Sequence, residues 1–207
     1  MAIFKPVVKE FTEQNSKFSG ICKFNMINFV DKSGLFDWAD IFIEIEVMQE
    51  HSDYSRRLQI KGSFDKEDDK IVGGSVLRRL YTFFEAIDCT AGINVNGGWE
   101  NEKGEAIEDI AEYLTKNHLA KGDIDSFPDS IKPDDYPYIA YFYREQPKKP
   151  GAKSYTTVWP KVYKDSAENE VKLQKDIDWL KGKGYVKELT DKTANAPAMN
   201  SNSLSNL

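Results

Sequence analysis

From Ala39 to Met48 the chain alternates without a break. Ala39, Ile41, Ile43, Ile45 and Val47 fall on the odd positions, and Asp40, Phe42, Glu44, Glu46 and Met48 on the even ones. Successive side chains of a β-strand point to opposite faces, so this period of two places the aliphatic set on one side of a sheet. The segment predicts a half-buried strand. Two neighbours read the same way. Gly20 to Val30 is rich in strand formers and runs into an Asp31-Lys32-Ser33-Gly34 turn, while Leu58, Ile60 and Phe64 alternate with Arg57, Gln59, Lys61 and Ser63. Three strands on short connections predict an antiparallel meander.

After Gly73-Gly74 the period changes. Val76, Leu77, Leu80, Phe84 and Ile87 recur at steps of three and four, the spacing of an amphipathic helix over Ser75–Asp88 that ends before Gly92. A second helical piece is expected at about 106–118. Residues 99–135 carry eleven acids and four lysines, net −7, and read as an acidic surface insertion. Strands return at Tyr136–Arg144 and Tyr155–Lys164, separated by a hairpin loop rich in proline and lysine. A final helix is expected at about 166–182, with Ser166 as its cap and Leu173, Ile177 and Leu180 on one face. The Ala-, Asn- and Ser-rich stretch 190–207 reads as a disordered tail after a single domain over 1–189.

Three strands, a helix and two strands is the order of an OB-fold, a five-stranded Greek-key barrel within the α+β class, here with the acidic helical insertion and the C-terminal helix added. The same order fits other small barrels. No stretch approaches the roughly 18–20 apolar residues of a membrane helix. Cys22 and Cys89 are too few for a disulfide framework. Both points lead to the expectation of a soluble intracellular protein.

Charge is distributed unevenly. The whole chain is acidic at −6, yet between Arg144 and Lys164 six cations face one acid. Eight of the chain's 26 aromatic residues lie between Tyr136 and Tyr163. On the last strand Tyr155, Thr157, Trp159, Lys161 and Tyr163 share the odd face, opposite Val158 and Val162. Rings interleaved with cations suit bases that stack while phosphates pair, and stacking tolerates any base sequence. Arg56, Arg57 and Lys61 on the third strand extend the cationic track, and an outward Trp38 or Phe42 adds a ring. The plainer reading, in which the tyrosines cover a barrel surface or an interface, stays open.

Signals of catalysis are poor. His51 and His118 sit in no ligand spacing with the cysteines, and no nucleophile motif is present. Glu44 and Glu46 share a strand face beside Gln59-Ile60-Lys61, which leaves a Mg²⁺-dependent nuclease as an alternative weakened by the glutamine. Ile71-Val72-Gly73-Gly74-Ser75 lacks the Lys-Ser/Thr of a phosphate-binding P-loop and reads as a turn into the helix.

The Gly20-led strand, Ile43-Glu44-Ile45-Glu46-Val47, Arg57-Leu58, the helix Val76-Leu77-Arg78-Arg79-Leu80 with Ala86-Ile87 and Gly92, and the lysine-rich hairpin before Tyr155 together resemble the OB-fold single-stranded-DNA-binding proteins of bacteriophages. The likeness covers roughly residues 16–165. It implies a non-catalytic protein without a cofactor or metal, coating displaced strands during phage DNA replication, recombination and repair in the cytoplasm of the infected bacterium. By position it implies a DNA face of Lys61, Tyr141, Tyr143, Arg144, Lys148, Lys149, Lys153, Tyr155, Trp159, Lys161 and Tyr163, to which the strand reading adds Arg57. Many such proteins recruit replication partners through an acidic tail. Ala194–Leu207 holds no acid, so the acidic 99–135 segment becomes the candidate for contacting replisome or recombination proteins. A homo-oligomer is compatible with the sequence, and an interaction protein that binds no nucleic acid is the second alternative.

Overall fold

β1 (Gly20–Asp31), β2 (Ile41–Gln49) and β3 (Ser55–Gly62) form the meander that the alternation predicts, antiparallel throughout. The structure, a computed structural model, describes residues 19–124, 131–145 and 155–188. The tail from 190 and the lysines at 148, 149 and 153 lie outside the described residues. β10 (Tyr138–Arg144) pairs with the free edge of β1, and β11 (Thr156–Val158) pairs with the end of β10, giving the order β11-β10-β1-β2-β3. β11 and β3 lie side by side and nearly close a five-stranded antiparallel barrel. With three helices among the described residues the architecture is mixed α+β, and its order is compatible with an OB-like barrel.

The aliphatic set of β2 faces the barrel interior. Ile43, Ile45 and Val47 meet Phe24 and Met26 of β1, Leu58 and Ile60 of β3, and Ala140 and Phe142 of β10. Helix α1 (Ser75–Ala86) closes one end with Val76, Leu80, Phe83 and Phe84. It is entered through Gly74, whose φ of 129° strains any other residue and where a Cβ would come within 3.1 Å of the Asp65 backbone nitrogen. Between β3 and α1 lies a hairpin of β4 (Asp65–Glu67) and β5 (Lys70–Gly73), where the sequence predicts only a turn into the helix at Ile71–Ser75. Its tight turn, with Asp68 and Asp69 at positive φ, left no run long enough to show a period.

The last strand departs from expectation. Tyr155–Lys164 is not continuous: β11 ends at Val158, and β12 (Tyr163–Lys164) resumes on β10 with a register shifted by two residues. Pro160, which has no N–H to offer a ladder, lies in the gap. A shift of two preserves side-chain direction, so Val158 and Val162 both enter the core as the alternation predicts.

The acidic segment is more than a surface appendage. It contributes β7 (Trp99–Glu100), which pairs with the preceding β6 (Gly92–Ile93), and contains the pair β8 (Gly122–Ile124) with β9 (Ile131–Pro133) and helix α2 (Ile110–His118). α2 starts four residues later than expected, where the Asp109 carboxylate caps it by accepting from the Glu112 N–H. Its Ile110 and Leu114 are buried in the main core. Helix α3 (Ala167–Gly182) begins at the predicted cap, with Ser166 Oγ accepting from the Asn169 N–H at 3.2 Å, and buries Leu173, Ile177 and Leu180.

Candidate functional site

Which part of the barrel's outer face is left open decides where anything can bind. Over β10, α3 covers it. Ile139, Tyr141 and Tyr143 pack with Leu173, Ile177, Leu180 and Val186 in a second apolar cluster, and Trp159 and Tyr163 close its edge. Tyr141 is 1% exposed and Tyr143 9%. Its hydroxyl ties Tyr141 to Glu188, whose carboxylate also takes Lys181 at 2.8 Å. Burial, then the acceptance of that hydrogen bond by a carboxylate, pushes the Tyr141 phenol far above its ordinary pKa. Lys161 Nζ lies 2.6 Å from Asp176 of α3, and the Tyr163 hydroxyl donates to the same carboxylate at 2.9 Å.

This corrects the expectation of one solvent-facing trough. Tyr141, Tyr143, Trp159, Lys161 and Tyr163 do share a face, but α3 sits on it. They have the composition of a stacking surface because a helix seat and a base-stacking surface both want flat apolar rings with polar tips. Further along, Ile27 and Met48 are covered by Ala120, Ile131 and Tyr136 of the acidic segment.

Toward β3 the outer face opens, with Arg57 exposed and Gln59 and Lys61 half-buried, and three features lie along this side. At one end the β1–β2 turn presents an aromatic platform. Asp31 Oδ1 accepts from the Ser33 N–H, Ser33 Oγ accepts from the Phe42 N–H, and Gly34 takes φ 81° to close the turn. Phe36 stacks on Phe42 at 5.4 Å between centroids, with Trp38 5.7 Å from Phe36. Trp38 is 53% exposed, and Lys61 Nζ stands 5.0 Å from the Phe42 centroid and 6.0 Å from that of Trp38. Phe36 went unread in the sequence, although Leu-Phe-Asp-Trp in a turn that should be polar was an available signal.

In the middle is Glu44, 8% exposed. Its carboxylate accepts from Lys32 Nζ at 2.8 Å and Gln59 Nε2 at 2.7 Å, with Arg57 Nε 3.6 Å away. Gln59 Oε1 in turn accepts from Lys61 Nζ at 2.7 Å. Burial raises the Glu44 pKa, but these cations and the amide outweigh it and hold the carboxyl below its usual range. Glu46 is engaged by Ser55 Oγ. Among the described residues no group of three or more His, Cys, Asp or Glu is placed to share a metal ion.

At the other end a groove of about 840 Å³ opens between β3 and β11. Arg56, Arg57, Arg144, Tyr155 and Thr157 line it, and among the described residues its lining contains no acid. The Arg57 side chain and Tyr155 are each 71% exposed. Arg56 is half-buried and gives one guanidinium N–H to the Ser55 carbonyl at 2.9 Å, while its buried Nε has no partner among the described residues. The chain enters and leaves segment 146–154 at Glu145 and Tyr155, beside this groove.

Of the predicted face, the structure brings together Arg57, Arg144 and Tyr155 at the groove, while Lys61, half-buried, lies at the platform end. Lys164, at the end of the basic segment, pairs instead with Asp88. Arg78 is exposed on α1, and Arg79 reaches the Lys61 carbonyl at 3.4 Å. No helix among the described residues is long and apolar enough to cross a membrane. Comparison with protein-family models, with curated proteins and with solved structures gave no match.

Proposed function

We propose that this chain binds single-stranded DNA without regard to base sequence, on an OB-type barrel, and does no chemistry on it. The observation that carries the reading is the arginine groove with its exposed Tyr155, whose lining holds no acid among the described residues, in a chain of net charge −6. Arg57, Arg144 and Arg56 supply charge-assisted donors for phosphates, and Arg56 Nε has no acceptor among the described residues. Tyr155, Trp38 and Phe36 supply rings for bases, each stacked base worth about 1–3 kcal/mol. Lys148, Lys149 and Lys153 belong to the segment tethered at the groove and remain part of the proposal from sequence alone.

The resemblance to phage single-stranded-DNA-binding proteins supports the same reading and extends it to strand protection during phage replication, recombination and repair. In that setting the acidic 99–135 segment is the proposed contact for partner proteins. Fluorescence anisotropy with a labelled thymidylate oligomer of about 16 nucleotides tests the binding. Affinity should fall with salt by about 0.7 log units per log salt for each phosphate neutralised. Absence of binding at low salt would overturn the reading.

A further inference from the structure

A buried acid in the middle of a surface offered to phosphates is costly in two ways: it is desolvated, and it repels the ligand. Glu44 is that acid. It sits on the outer face of β2, between the Trp38 platform and the arginine groove, where the alternation of the strand requires it to point outward. Among the described residues its polar contacts run to Lys32, Gln59 and Arg57. Lys32 and Arg57 approach it directly, and Gln59 relays it to Lys61, donating to Glu44 through Nε2 and accepting from the lysine through Oε1.

A carboxylate cannot donate, so it sets the direction of the Gln59 amide: the NH₂ turns to Glu44 and the oxygen to Lys61. Lysine and arginine side chains are otherwise free rotors whose ordering costs entropy each time they meet a ligand. One anion here orders three cations at once. The cluster still carries a net positive charge, since Lys32, Arg57 and Lys61 outnumber Glu44.

We propose that Glu44 is a positioning residue of the nucleic-acid face, holding Lys32 and Arg57 directly and Lys61 through Gln59 in the orientation that meets successive phosphates. This rests on the reading of that face as a single-strand site. It makes a counterintuitive prediction of sign: removing a negative charge from the site weakens binding of a polyanion. If Glu44 were only a tolerated surface acid, its removal would tighten binding and steepen the salt dependence.

The test is anisotropy of the full chain with the labelled thymidylate oligomer across a salt series, for the unaltered protein, Glu44→Gln, Lys61→Ala and the double variant. Glu44→Gln should weaken binding roughly three- to tenfold and make the salt slope shallower by about 0.7 for each cation no longer delivered. Its effect should shrink in the Lys61→Ala background, because part of it passes through that lysine. Should Glu44→Gln fail to fold, Gln59→Leu breaks the relay while leaving the carboxylate and its two direct cations, and should reproduce the loss seen for Lys61→Ala without adding to it. Equal or tighter binding by a folded Glu44→Gln, or full additivity of Gln59→Leu with Lys61→Ala, would overturn the positioning role while leaving the site itself intact. No binding by the unaltered protein would overturn the site.

Discussion

Lys161 Nζ lies 2.6 Å from the Asp176 carboxylate, so a cation of the basic segment serves as a strut between the β11–β12 connection and α3. Both side chains are about one-third exposed, and solvent screens the pair. Asp176→Ala should therefore lower stability by only about 0.5–1 kcal/mol, read as a shift in the urea midpoint. Oligonucleotide affinity should not change. A large loss of binding on this substitution would place the Lys161 region back in the interface.

Tyr141 and Tyr155 separate folding from binding. Tyr141→Ala removes a ring 1% exposed beneath α3 and should cost about 3–5 kcal/mol of stability by urea unfolding. Tyr155→Ala removes a ring 71% exposed and should leave the midpoint within about 0.5 kcal/mol. The second variant, not the first, should weaken oligonucleotide binding at any sequence, by about 1–3 kcal/mol if one base stacks there.

Arg57→Ala combined with Arg144→Ala should reduce the salt slope by about 1.4 log units per log salt, two phosphates' worth. An unchanged slope in a salt titration would show that the groove of Arg57 and Arg144 is not where phosphates lie.

Acid should weaken the fold in part through Glu44. Its pKa in the folded chain is lower than in the unfolded one, so the unfolded state binds the proton first. The stabilisation is present above the unfolded carboxyl value of about 4.3 and is lost as pH falls through the lower folded value. Urea midpoints between neutral pH and pH of about 3 should fall less steeply for Glu44→Gln than for the unaltered protein.

Cys22 should react slowly. Burial raises its thiol pKa to about 11, only partly opposed by a hydrogen bond with Gln49, and burial raises that of Cys89 too. At mild alkaline pH the native protein should label with a thiol reagent far more slowly than the urea-unfolded chain, since the thiolate is the reactive form. Rapid native labelling would mean that these strands open easily.

The elements were legible from local pattern. Period two in Ala39–Val47 and steps of three and four in Val76–Ile87 report directly which face of each element meets the core, and Val158 and Val162 enter the core where the alternation put them. Asp68–Asp69 and Pro160 mark where that legibility ended, because two- and three-residue strands carry no measurable period.

By itself the sequence determined the inner face of the barrel, since burial there is enforced by neighbours along the same strand pattern. What covered the outer face was decided only in three dimensions. Leu173, Ile177 and Leu180, some thirty residues further on, claim Tyr141 and Tyr143, while Phe36, Trp38, Arg57 and Tyr155 are left uncovered. Tyrosine and lysine have apolar bodies and polar tips, so they suit a helix seat and a ligand face equally well. Only the long-range packing that brings one helix over one half of the barrel tells the two apart.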